Sequence, residues 1–114
     1  MDAELKSKWV TALRSNEYTQ GSGYLKQQHP VTGGVRHCCL GVLAEVMGVP
    51  SHPSAQQNGS FVFAFESADE NAYLPFDEDA DDFVFDYEIQ SELARMNDTG
   101  KTFSEIADHI EAVL

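Results

Sequence analysis

Apolar residues recur along this chain at two periods, and the period separates helix from strand. Near the N-terminus Leu5, Trp9 and Leu13 stand four apart, with Lys6, Lys8 and Arg14 off their line. At 3.6 residues per turn that spacing makes one stripe, so residues 2–15 are predicted as an amphipathic helix with Asp2 as its N-cap. Residues 38–48 hold Leu40, Val42, Leu43, Val46 and Met47. They are apolar on most sides, which predicts a helix buried at the domain centre, stopped by Gly48 and Pro50. Ile89, Leu93 and Met96 mark a third helix over 87–97, ended by Asn97-Asp98-Thr99-Gly100. Thr102-Phe103-Ser104-Glu105 has the spacing of a capping box, and Ile106, Ile110 and Leu114 continue a stripe from it.

The strand signal is narrower. Phe61-Val62-Phe63-Ala64-Phe65 alternates, with its phenylalanines on one face. Phe83-Val84-Phe85 forms a second strand or leads into the third helix. Turn formers fill the intervals. Gly21, Gly23, Pro30, Gly33 and Gly34 make residues 16–36 a loop or short hairpin turning at Thr32-Gly33-Gly34. Pro50, Pro53, Asn58 and Gly59 predict a polar loop over 50–60, and residues 66–82 are acidic and irregular around Pro75. The expected architecture is α+β, with about four helices and a small two- to three-stranded antiparallel sheet. One domain is expected over 1–114.

Composition adds limits. The 114 residues are 42% hydrophobic, enough for a core and too much for a disordered chain. No apolar run approaches the ~20 residues of a membrane span. Met1-Asp2-Ala3-Glu4-Leu5-Lys6 has no basic region leading into an apolar one, so no secretory signal is expected. The cysteines are the adjacent pair Cys38 and Cys39, which excludes a disulfide framework and points to a reduced, cytoplasmic chain.

Charge changes the picture most. Nineteen acids face seven bases, a net charge of −12. Direct binding to nucleic acid or to an anionic membrane is therefore not expected, since phosphate contacts need Lys and Arg. Residues 1–48 carry 4 acids and 5 bases, whereas residues 61–114 carry 15 acids and 2 bases. The second part, at a net −13, holds the whole excess.

Four groups of residues are candidates for chemistry. Cys38 and Cys39 begin the second helix, where the macrodipole favours thiolate, and His37 stands just before them. That arrangement suits a thiol nucleophile. A free cysteine is equally a small buried hydrophobe, and there is no second cysteine pair for zinc. Asp77, Asp79, Asp81 and Glu88 fall at positions 1, 3, 5 and 12 of a calcium-loop pattern, although Asp82 occupies the place of its glycine. The same run, Asp77, Glu78, Asp79, Asp81, Asp82, Asp86 and Glu88, interleaved with Phe83 and Tyr87, suits an interface that imitates the charge of a nucleic-acid backbone. Arg14, Tyr18 and Gln20, with Gly21, Gly23 and Tyr24 beside them, suit a phosphate or nucleobase in a small pocket, although a turn explains the glycines as well. No cofactor fingerprint is present.

Three segments carry a resemblance: Trp9 to Ser15 with Tyr18-Thr19-Gln20-Gly21, Cys38-Cys39-Leu40-Gly41-Val42-Leu43, and Leu93 to Ala107. Through them the chain resembles a group of small, mostly uncharacterised proteins of tailed bacteriophages and prophages. Residues 50–85 lie outside the similarity. The resemblance implies a phage origin, a place in the cytoplasm of a bacterial host, and an accessory role, but no particular activity. The reading these features favour is binding and inhibition of a host protein with a basic surface, a defence or nucleic-acid-handling protein. A thiol enzyme centred on Cys38 or Cys39 is the alternative, and a small-ligand (nucleotide) or calcium-binding module the third.

Overall fold

A computed structural model describes residues 3–57, 60–65 and 87–114. Four helices and five strands follow in the order α1 (Ala3–Arg14), β1 (Thr19–Gln20), β2 (Lys26–Gln28), β3 (Val35–His37), α2 (Cys39–Val46), β4 (Ser51–Gln57), β5 (Ser60–Phe65), α3 (Tyr87–Asp98) and α4 (Phe103–Val113). The α+β expectation and the four helices agree with this. The Asp2 cap and the Phe83–Phe85 strand lie outside the described residues.

The sheet differs from expectation. It has five strands in the order β1-β3-β2-β5-β4, and β1 runs parallel to β3, so it is mixed. Two physical reasons hid it. β2 and β3 read Lys-Gln-Gln and Val-Arg-His, too short and polar for hydrophobic alternation to reveal. β4 carries Pro53, which argues for a loop, but β4 is an edge strand and its pairing with β5 shifts register between Pro53 and Ala55. Edges and bulges are where a strand tolerates proline. The expected hairpin at Thr32-Gly33-Gly34 does form: β2 and β3 pair antiparallel and Gly33 takes φ 73°.

The core lies among the helices. Trp9 and Leu13 of α1, Leu43 of α2, Leu93 of α3, and Ile106 and Ile110 of α4 are all buried in it. The stripes that predicted α1 and α4 are the faces that meet, with Leu5 and Leu114 partly covered at the ends. The Trp9 indole donates to the Cys39 carbonyl (2.9 Å), satisfying its polar edge inside the core. The capping box of α4 is complete: Thr102 Oγ1 accepts from the Glu105 N–H and the Glu105 carboxylate accepts from the Thr102 N–H, both at 3.2 Å. Helix α2 runs tightly past the chain before β2. A Cβ at Gly41 would overlap the Leu25 carbonyl oxygen, which is why glycine stands mid-helix there despite its poor helix propensity.

Candidate functional site

The three segments quoted for the resemblance meet at one polar joint. Its centre is Asn97, buried near the end of α3 at 3% exposure. Asn97 Oδ1 accepts from the Cys39 N–H at 3.2 Å and from Gln20 Nε2 at 3.1 Å. Its Nδ2 donates to the Gly21 carbonyl at 2.7 Å. Gln20 Nε2 also donates to the Lys101 carbonyl, and Gln20 Oε1 accepts from the Phe103 N–H at 3.1 Å, at the start of α4. Asp98 Oδ1 accepts from the Gly23 N–H at 2.9 Å. Helix α2 has no side-chain cap of its own, since its N-cap residue is Cys38. Asn97 supplies the missing acceptor from another helix, so the joint replaces local capping with a tertiary one.

Behind this joint lies a second polar cluster. His37, at the end of β3, is 6% exposed, and neither ring nitrogen has a hydrogen bond. Its ring meets Tyr18 edge-on at 5.1 Å, and Nε2 lies 3.9 Å from Glu45 Oε1 on α2, beyond hydrogen-bond reach. Lys26 Nζ sits 3.5 Å from the same oxygen, donates to Ser51 Oγ at 3.1 Å, and lies over the Phe63 ring at 4.7 Å. Burial lowers the pKa of His37, and Lys26 adds to that; Glu45 opposes it. The ring is held neutral because charging it would desolvate an imidazolium.

Both cysteine thiols are in the core: Cys38 is 7% exposed and Cys39 fully buried. Burial pushes both thiols above the ordinary cysteine value. At Cys38 the helix-start N–H groups of Leu40 and Gly41 do favour thiolate, as the sequence suggests, but desolvation outweighs them. Cys39 Sγ faces the Leu93 carbonyl at 3.6 Å. His37 hydrogen-bonds to neither thiol. The chain places the three residues side by side; the fold buries both thiols in the helical core and sets the His37 ring against Tyr18 and near Glu45.

Arg14, Tyr18 and Gln20 do line one hollow of about 280 Å³. The polar groups of Arg14 and Gln20 are committed elsewhere. Arg14 is tied to Asp108 and, at 3.1 Å, to Glu111 on α4, and these carboxylates raise its pKa. Gln20 is fully used in the joint. Among the acidic candidates, Asp77, Glu78, Asp79, Asp81, Asp82, Phe83 and Asp86 lie outside the described residues. Tyr87 begins α3, and Glu88 is exposed one residue on. Glu88, Ser91, Glu92 and Arg95 share one face of α3. Among the described residues no group of three His, Cys, Asp or Glu is arranged to hold a metal ion, and no helix is long and apolar enough to cross a membrane.

Sequence reasoning missed Asn97, Lys26 and Glu45. Asn97 had a signal: it falls four residues after Leu93, on the buried stripe, where a polar side chain needs partners. Lys26 and Glu45 had none, because their meeting depends on strand register.

Fold and joint together define the class: a small α+β protein in which a helical core and a mixed sheet are locked by a buried asparagine–glutamine network. Within that class, a family model described as Domain of unknown function (DUF8296) matches residues 1–114, and the chain belongs to this family. No curated protein and no solved structure matches it.

Proposed function

We propose that the protein binds a basic macromolecule through its acidic stretch, as a phage-encoded accessory protein that inhibits a host defence or nucleic-acid-handling protein. The observation that carries this reading is where charge remains after local pairing. Arg14 pairs with Asp108 and Glu111, Lys26 with Glu45, Lys8 with Glu4 and Lys101 with Glu105. The acids of α4 thus have nearby bases. Residues 66–98 instead hold 12 carboxylates against one Lys or Arg (Arg95), a net of −11, almost the whole charge of the chain. The stretch runs from the end of β5 to α3, and the exposed Glu88 and Arg95 lie on the α3 face that ends it.

Such a density of carboxylates suits a cationic groove made for phosphates. Binding would release the counterions held by both surfaces and would weaken with salt. Asp77, Glu78, Asp79, Asp81, Asp82, Asp86 and Glu88 supply the charge, and Phe83 or Tyr87 an aromatic anchor. The test is the effect of the expressed protein on phage infection of a bacterial host. The triple change Asp79→Lys, Asp81→Lys and Asp82→Lys is expected to abolish that effect while leaving thermal unfolding cooperative. An unchanged effect on infection overturns the proposal.

A further inference from the structure

The outer face of the sheet carries a cleft that the acidic stretch does not explain. Register defines this face. Arg36 pairs with Thr19 on β1 and with Gln27 on β2, one residue out of phase with His37 and Lys26. Because side chains alternate along a strand, Thr19, Gln27 and Arg36 project away from the buried His37. The cleft that Gln27 and Arg36 border has a volume of about 490 Å³, within the range of roughly 300–1,000 Å³ usual for small-ligand sites. Gly21, Tyr24, Gln27, Arg36, Gly100 and Lys101 line it. Gln27, Arg36 and Ser60 also border a second hollow of about 300 Å³ that reaches His29.

The floor of the cleft is hydrogen-bonded on both sides of Gly21 and requires glycine there. The Gly21 N–H donates to the His37 carbonyl at 2.8 Å, and its own carbonyl accepts from Asn97 at 2.7 Å. A Cβ there would come within 2.7 Å of Gln27 Nε2 and 2.9 Å of Arg36 Cβ. The close approach lets both side chains lie across the backbone of the joint. Arg36 has no carboxylate partner among the described residues, in contrast to Arg14. A guanidinium fork without an acid suits a bidentate phosphate. Lys101 faces the same space, and among the described residues its ion pair is with Glu105 at 3.8 Å, with both side chains more than half exposed. Exposed pairs at that spacing are weak, so the ammonium is available to a stronger anion. At the far end stands His29, whose Nδ1 accepts from the Val31 and Thr32 N–H groups at 3.1 and 3.2 Å. Tyr24 adds an aromatic ring, and Gln27 an amide.

We propose that this cleft binds a phosphate-bearing small molecule of about mononucleotide size, with its phosphate on Arg36 and Lys101. The net charge of −12 favours a ligand with few phosphates over a nucleic-acid strand, whose long-range repulsion grows with each phosphate.

The test is calorimetric titration of the full chain with ADP, inorganic phosphate, adenosine and a short single-stranded oligonucleotide. ADP or inorganic phosphate is expected to bind with a dissociation constant of about 1 mM or tighter. Binding of ADP with phosphate assigns the site to the phosphate group alone, and tighter binding of ADP adds Tyr24 and Gln27; either supports the proposal. Arg36→Gln is expected to weaken binding roughly tenfold or more, the scale of a lost charge-assisted bidentate contact. Arg95→Gln, the same charge change on α3, is expected to leave it unchanged, and both variants should unfold at the wild-type temperature because neither side chain is buried. The proposal is overturned if neither phosphate compound binds, if adenosine binds as tightly as ADP, if the oligonucleotide binds more tightly than ADP, or if the two arginine variants lose affinity equally.

Discussion

His37 shows how far one buried side chain can be read from its surroundings. A neutral imidazole with no hydrogen bond, packed against Tyr18 and close to both Lys26 and Glu45, gains nothing from protonation that offsets its desolvation. Its folded-state pKa is therefore lowered from the ordinary 6.5. An unfolded chain binds the proton first as pH falls. The stabilising contribution is fully present above about pH 6.5 and is lost as pH drops from there towards the lowered folded value. Wild-type protein is expected to lose melting temperature between pH 7 and pH 5.5. His37→Phe, which keeps an aromatic edge for Tyr18 and cannot be protonated, should lose less. Equal losses would mean that His37 is not the group responsible. The sequence identified His37 as a residue of interest but attached it to the neighbouring thiols, because adjacency in the chain was the only geometry it offered.

Between elements, Asn97 does the work that capping residues do within one. Removing its side chain takes from the Cys39 N–H, at the start of α2, and from the Gly21 carbonyl the hydrogen bonds that Asn97 makes to them. A buried group left unpaired costs about 1–3 kcal/mol, and two are affected, so Asn97→Ala is expected to destabilise by about 3 kcal/mol in urea unfolding. Asn97→Asp keeps an acceptor for Cys39 but sets a buried carboxylate against the Gly21 carbonyl and beside Asp98, and is expected to cost at least as much. A loss below about 1 kcal/mol for Asn97→Ala would show that the joint does not hold α2. The helices were legible because each has a periodic apolar stripe, and α4 also carries its own capping box. The joint was not, since its partners Gln20, Cys39 and Asn97 are separated by most of the chain.

For the whole molecule, the consequence of a −12 charge is self-repulsion in the compact state. At about 0.01 M salt the screening length is about 30 Å, comparable to the 38 Å longest extent of the fold, so the acids repel one another across it. At about 0.1 M it is about 10 Å and only neighbours interact. Melting temperature is expected to rise over this salt range. A fall would mean that local ion pairs such as Arg14 with Asp108 and Glu111 outweigh the long-range term. The same screening weakens the proposed contact with a basic partner, so salt should move stability and partner binding in opposite directions.

By itself the sequence determined the helices, the strand at β5, the turn before β3 and the distribution of charge. Each of these is written in local spacing, composition or capping residues, and local physics is enough to specify it. Only the tertiary structure decided the rest. It made a proline-bearing segment into the edge strand β4 and paired β1 parallel to β3. It sank both thiols where desolvation raises them, tied Arg14 to α4, and set Arg36 and Lys101 on the lining of one open cleft. All of these depend on which residues distant in the chain come into contact, and strand register and burial, rather than neighbourhood in sequence, decide that.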